Sequence, residues 1–519
     1  MLILLPVILL LLTALTLLIL RLARPDFRFN WLIAAGGAFL AWMSVFLWQI
    51  RLPQTLSLPP WQPQTLFTYS PVWLADDLSW LYTLSLTMLA LAVIMTSVVR
   101  GVVNPMAWAG THILVALGVL AVTADNPLTL VLSWAAIDLV ELVSMLRSVE
   151  GERQSENAVI TFAARLAGIG LVLWASVLSV ASGVKMDFRT VPAHAGIYLL
   201  LAAGLRLGVL PLHLPYHQEA PLRRGFGTTL RLVSAASSLA LLARIPAAAV
   251  STPLRPYLLI LTALAALYAG WMWLRASDEL TGRPFWLLGM ASLAIAATLR
   301  ADSSGSAAWG SALILTGGFL FLYSARHQYL FLLILTGIWG ISALPFSPTA
   351  QGWQSNIPIS FVFLLPFLLS QSLLIAGYIR HAYHAGDSAL KAHPNMSQAI
   401  YISGLVLIML VQTLLGLWGW SGARSLGLWW AGLAAILLSP GLAWAVARLL
   451  PRIASMPVKI GRWGELLRLN WLYRGLWAIY RFLGRASNVV TSTLEGEGGV
   501  LWSLLLLVLF LSLLTQVVR

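Results

Sequence analysis

Long runs of apolar residues, separated by short polar turns, fill this chain almost from end to end, and lipid is the solvent that suits such a pattern. Sixteen runs fall near 2–20, 30–50, 78–99, 106–123, 127–146, 158–182, 194–215, 228–248, 254–274, 284–300, 307–325, 328–345, 356–380, 398–420, 426–447 and 499–517. Most are close to the ~20 residues needed to cross a bilayer. Backbone groups in lipid must be satisfied within the segment, so all sixteen are expected as helices. Composition agrees: 59% hydrophobic residues against 10% charged, with a mean hydropathy of +0.85, excludes a water-soluble globule. The expected class is an all-α polytopic membrane protein. A cleaved signal peptide is the competing reading of residues 2–20. The run is too long for one, basic residues follow rather than precede it, and no small-residue cleavage site appears.

The chain has no Cys, which excludes disulfides, thiolate metal sites, iron–sulfur clusters and Cys nucleophiles together. It also lacks a glycine-rich phosphate loop and a nucleophile elbow. His381 and His384, three residues apart at a helix end, make a poor metal site with only two ligands. No metal and no cofactor is expected on this chain, and any redox chemistry nearby belongs to another subunit.

Orientation follows from Lys and Arg. Of the 32 such residues, 21 lie in one set of alternate loops and 7 in the other, while Arg165, Arg206, Arg231 and Arg244 lie inside spans. The richer set is expected in the cytoplasm, which puts both termini outside. A net charge of +14 then reads as a basic face against anionic lipid. Without a soluble basic domain, nucleic acid is not an expected partner. Between Gly464 and Glu495, Leu469, Leu472, Leu476, Ile479, Tyr480 and Leu483 recur at three- and four-residue spacing. That is the pattern of an amphipathic helix lying at the interface on the cytoplasmic side. It suits a membrane-surface anchor or a strut across a neighbouring subunit, with the last span pinning its far end.

Ionisable residues inside spans cluster in one stretch: Asp138, Glu141, Arg165, Arg206, His213 and Arg231. An unpaired charge there costs at least ~2.5–3.5 kcal/mol, so such residues mark an ion path or a buried salt bridge. Two spans carry related proline interruptions, "AGLRLGVLPLHLP" at 203–215 and "GIWGISALPFSP" at 337–348. Proline removes an amide donor and clashes with the preceding turn, so helix breaks are expected at Pro211 and Pro215 and at Pro345 and Pro348. Broken helices in corresponding places of two halves point to an inverted-repeat transporter.

Several segments carry a family resemblance. "WLADDLSW" at 73–80, "DNPLTLVLSW" at 125–134, "FAARLAGIGLVL" at 162–173, "LRLGVLPLHLPYHQEAPLRRGFGTTLRLVSAA" at 205–236 and "SALPFSPTAQGW" at 342–353 resemble the antiporter-like membrane subunits of respiratory complex I (NADH-quinone oxidoreductase). That family is shared with membrane-bound hydrogenases, multisubunit cation/proton antiporters and the membrane subunit of some inorganic-carbon pumps. Sixteen spans with an interfacial helix before the last resemble its largest, lateral-helix subunit. The resemblance implies two inverted five-helix repeats, each with a broken helix, and a path of ionisable residues that carries protons. It also implies other membrane subunits as partners, a soluble redox or zinc-binding partner, and a bacterial plasma membrane.

The departures from that pattern fall on the ionisable positions. Ala135 stands where the family usually has glutamate, with Asp138 and Glu141 three and six residues further on; Arg206 and Arg231 replace a lysine and a histidine. In the second half Gly317 stands where a lysine is expected, and Gln351 and Ser355 lie near another such place. Arginine stays protonated and cannot relay a proton, whereas burial can tune lysine toward neutrality. The candidate proton path is therefore Asp138, Glu141 and His213, with Asp77 near the outer surface, and Arg165, Arg206 and Arg231 are charge partners. The expected organisation is N-terminal helices at 1–105, a first repeat at 106–250, a charge-poor repeat at 251–380, further spans at 381–447, the lateral helix at 448–498 and a final span at 499–519. The expected function is a proton- or cation-translocating subunit without redox chemistry of its own. The alternatives are a degenerate fold kept for anchoring and the membrane subunit of an inorganic-carbon pump.

Overall fold

The computed structural model describes residues 2–59, 70–100, 104–148, 152–213, 224–250, 252–354, 357, 361–383, 388–419 and 427–454, with isolated residues between 477 and 508. Its contacts divide the chain into two units, Met1–Met456 and Pro457–Arg519. The predicted lateral helix, beyond the end of the last helix of the first unit, and the final span lie largely outside the described residues. So do Pro215, Ser355 and His384.

Fifteen helices, counting one interrupted pair as one, account for the other predicted spans. They are α1 (Leu5–Ala23), α2 (Asn30–Phe46), α3 (Asp77–Thr96), α4 (Pro105–Val122), α5 (Pro127–Ser148), α6 (Glu152–Ala181), α7 (Ala193–Leu207), α8 (Phe226–Arg244), α9 (Arg255–Arg275), α10 (Glu279–Leu299), α11 (Ser303–Leu322), α12 (Leu330–Gly340), α13 (Phe361–Tyr383), α14 (Asn395–Leu414) and α15 (Trp429–Ala454). Among the described residues twelve are long and apolar enough to cross a membrane, and α7, α12 and α15 contain shorter apolar segments. The protein is an integral membrane protein. Among the described residues strand is confined to two small pairs, Gln54–Ser57 antiparallel to Val72–Ala75 and Ala325–Arg326 parallel to Ser388–Ala389.

Helix starts follow local capping chemistry. Asp76 and Ser79 form a reciprocal capping box at α3, Asp278 and Thr281 do the same at α10, and Asn104 caps α4 ahead of Pro105. Each satisfies amides that the first turn leaves without intrahelical acceptors. Helices α8 and α11 are almost wholly buried and, Arg231 and the terminal Arg244 of α8 apart, carry apolar or small residues on most sides, as expected of helices enclosed by others. They pack on each other, and α3 packs on both. Around them α4 packs on α8, and α9 on α13, so the first and last helices of each group of five lie together. Tryptophan N–H groups tie helices together through carbonyls, Trp31 to Ile94 at 3.0 Å, Trp80 to Val45 at 3.2 Å and Trp273 to Leu374 at 3.0 Å, and Trp309 ties α11 to the turn at Gly352 at 2.9 Å.

The fourth helix of each group is cut short, and the cut precedes the prolines. Helix α7 ends at Leu207, with Gly208 in the left-handed region at φ 78°. The amides of Gly208 and Val209 return to Leu205 and Gly204 at 3.2 and 2.9 Å, which is a Schellman closure. Pro211 lies in the turn beyond it. Helix α12 likewise ends at Gly340, and two non-glycine residues, Ala343 at φ 57° and Phe346 at φ 65°, shape the turns that contain Pro345 and Pro348. At α7 the left-handed cap ends the helix from its C-terminal side, whereas α12 gives way at Ile341, φ −115°, to the turns beyond; in both the prolines keep the helix from resuming. A Cβ at Gly208 would meet the αL penalty of about 1–2 kcal/mol. Gly208→Val is expected to lower the unfolding midpoint of the detergent-solubilised protein, whereas Pro211→Ala leaves α7 ending at the same residue; hydrogen exchange of the 204–209 amides checks the second point.

Candidate functional site

Five charged side chains from four helices meet beside the first break. Asp138 and Glu141 sit three residues apart on α5, so they share one helix face. Arg206, one residue from the end of α7, donates to both Asp138 oxygens, Nη1 to Oδ2 at 2.6 Å and Nη2 to Oδ1 at 2.7 Å. Such a fork is the strong form of a charge-assisted pair. Arg231 on α8 donates to Glu141 Oε1 at 2.8 Å. Arg165 on α6 stands between the acids, with Nη1 3.3 Å from Asp138 Oδ1 and also bonded to Glu141 Oε2 and to the Ser234 hydroxyl. All five side chains are buried, Asp138 to 1% exposure.

The surroundings explain how so much charge is accommodated. The Arg206 guanidinium lies 4.1 Å from the centre of the Trp134 ring, a cation–π contact with the residue one turn before Asp138. Gly168 makes room for the Arg206 stem: a Cβ there would come within 2.8 Å of Arg206 Cγ. Ala135, where the resemblance leads one to expect glutamate, is exposed on the outer side of α5, while the two acids that follow point inward. Ser234 and Gly168 each lie three residues after an arginine, Arg231 and Arg165. That spacing is the signal by which the sequence could have shown them.

Other predicted residues stand elsewhere. His213 is buried beyond the break, with Nδ1 2.9 Å from the Pro211 carbonyl. Asp77 is exposed at the first position of α3. Its neighbour Asp76 makes the long-range contact instead, to Arg244 Nη1 and Nη2 at 3.1 and 3.2 Å. Near it Asp125 lies 3.7 Å from Arg189. Burial pushes the Asp125 carboxyl above its usual range, against the opposing pull of Arg189 and Arg244.

In the second group the mid-helix positions are neutral. At the second break the Thr349 hydroxyl donates to the Gly340 carbonyl at 3.1 Å and accepts from the Ala343 amide at 3.0 Å. Gln371 on α13 donates to Ile341 O at 2.8 Å and accepts from Trp353 Nε1 at 2.9 Å. Gln412 on α14 reaches Thr316, beside Gly317, at 2.7 Å. Charge reappears at the helix ends. Glu279 Oε1 receives Arg224 at 2.7 Å and Arg326 at 3.1 Å, which ties the segment preceding α8 to the second group. Gln371 was legible as a lone amide in the apolar run "LLSQSLL"; Glu279 carried no sequence signal, because it stands at the entrance to its span.

Among the described residues no group of three or more metal-ligating side chains occurs. No family model matches the chain, and a search of curated proteins returns no match either. Solved structures do match. A chain of the Mrp complex from Dietzia sp. DQ12-45-1b superimposes with a TM-score of 0.70 at 16% identity, over all of this chain and 63% of that one. The fold is the one this chain shares with that membrane-complex chain. An archaeal membrane-bound sulfane sulfur reductase complex has a chain similar at TM-score 0.62 and 12% identity, covering 98% of this chain and 99% of that one. A chain of respiratory complex I from Thermus thermophilus is similar at 0.61 and 20%, covering 84% and 100%. The present chain thus spans less than two thirds of the Mrp chain, and at these identities the likeness is one of fold.

The five-charge network makes a stability prediction. Asp138→Ala leaves three guanidiniums facing one of the two carboxylates, and breaking a buried pair in this way costs about 3–5 kcal/mol. Adding Arg206→Ala removes the guanidinium left without its partner, returns the group to its wild-type net charge and is expected to restore more than half of the loss, read as the unfolding midpoints of both variants beside wild type.

Proposed function

We propose that this chain is a proton- or cation-translocating, antiporter-like subunit of a multisubunit membrane assembly related to complex I, with no redox chemistry of its own. The observation that supports this reading is the buried network at the α7 break, where Arg165 is shared between Asp138 and Glu141. Guanidinium groups do not give up protons at physiological pH, so the carboxylates are the groups that titrate, and the arginines set their affinity. A guanidinium in contact favours the ionised acid; once it withdraws, burial favours the protonated one. Moving Arg165 by a few ångströms toward one acid would therefore raise the proton affinity of the other, as coupled ion pairs do. The break supplies the mobile element, since Arg206 is in the last turn of α7. His213, on the far side of that break, is the next group that can exchange a proton. Asp77 would serve at the membrane surface.

Assembly with other membrane subunits is supported by the neighbours, each of which belongs to a complex. In this reading the driving signal comes from a soluble redox partner, with the basic loops in the cytoplasm against anionic lipid. A second reading has its own support: Thr316, Gly317, Gln371 and Gln412 offer no titratable group along the middle of the second half. A subunit that kept the fold for anchoring would look like this.

Proton flux into vesicles carrying the intact assembly separates the two. Asp138→Asn with Glu141→Gln is expected to lower flux at least tenfold while the complex still assembles; flux equal to wild type would remove both acids from the mechanism. Stoichiometric partners decide which assembly it is: iron–sulfur and flavin subunits indicate complex I or hydrogenase kin, a zinc protein indicates a carbon pump, and several small membrane subunits indicate a cation antiporter.

A further inference from the structure

A further buried acid lies outside the five-charge network, at the far end of the charge-poor half. Asp302 caps α11, with Oδ1 accepting from the Gly305 amide at 2.9 Å and from the Ser304 hydroxyl at 2.8 Å. The residue is 4% exposed, and its Oδ2 is buried without a hydrogen-bond partner. No guanidinium pairs with it among the described residues. Arg300, two residues earlier, spends its donors on carbonyls instead: Ala296 at 3.1 Å, Gly352 at 2.9 Å and Trp353 at 3.4 Å. The unpartnered oxygen faces the segment that follows the second break. A Cβ placed on Gly305 would collide with Asp302 Oδ2 and come within 2.9 Å of the Gln351 carbonyl oxygen. Two acceptors thus border one small space, and the Gln351 side-chain oxygen is itself buried and unpartnered.

A buried carboxylate beside acceptors is unfavourable, whereas a carboxylic acid there has a donor to offer. We propose that Asp302 is a proton-binding site of the second half, its neutral form turned toward the Gln351 carbonyl and its ionised form free to draw on Arg300. Gain and loss of the proton would then shift Arg300 between the 351–353 segment and Asp302, coupling protonation to the second break. Burial raises the proton affinity of this carboxyl, against the opposing effects of the Gly305 and Ser304 hydrogen bonds and the charge of Arg300. The place of Asp302 in transport rests on the translocation reading above; its proton binding does not.

Infrared difference spectroscopy of the full-length chain in its native assembly, titrated with alkali, tests this. A carbonyl band from a protonated carboxylic acid is expected at neutral pH. It should be lost on alkalinisation and lost in Asp302→Asn, which keeps a good helix cap, yet remain in Asp138→Asn with Glu141→Gln. Absence of the band, its persistence in Asp302→Asn, or its displacement by Na⁺ at fixed pH overturns the proposal. An intact band in an assembly that moves no protons would instead count against translocation and leave the site standing.

Discussion

Charge inside lipid must find countercharge, and in this protein that requirement organises the first half. Asp138 and Glu141 on α5 could not be buried alone, nor could Arg165, Arg206 and Arg231 on the three helices that follow. Their mutual pairing joins α5, α6, α7 and α8 at one depth. Buried ion pairs seldom add net stability over well-packed apolar residues, because desolvation offsets most of the attraction. Their retention in a hydrophobic bundle is better explained by orientation and function than by stability. Arg165, in touch with both acids, is where the network can be tipped.

The backbone supplies a matching requirement. Helices that stop inside a membrane leave carbonyl and amide groups that need partners. At the first break the chain closes on itself through Gly208. At the second it recruits Thr349 and Gln371 from further along the sequence. The two breaks are thus solved by different chemistry, one with charge close by and one with hydroxyl and amide groups only. This asymmetry is the physical content of the contrast between the two halves.

The arginine substitutions bear on mechanism in a definite way. A lysine path can hand protons along, because each ammonium can become neutral when buried. A guanidinium cannot, so the proposed function places the proton on the carboxylates and leaves the arginines to set their affinity. Asp302 and the Glu279 contacts place further acid groups at opposite ends of the second half, with neutral polar side chains between them.

Much of this was legible in the residues. Apolar runs of bilayer length determined the class and nearly every helix, because lipid leaves the backbone no alternative. Charges inside those runs marked Asp138, Glu141 and their arginines, because an isolated charge there is costly. Which acid meets which arginine was decided only by the packing of four helices, and so was the choice of Asp76 over Asp77 as the partner of Arg244. The ends of α7 and α12 were misplaced toward the prolines, since proline is conspicuous in a sequence while the left-handed cap of α7 and the turns after α12 depend on local backbone geometry. Asp302 and Glu279 were overlooked for a related reason: at helix ends a charge reads as solvated until the tertiary structure shows that neighbouring segments have closed over it.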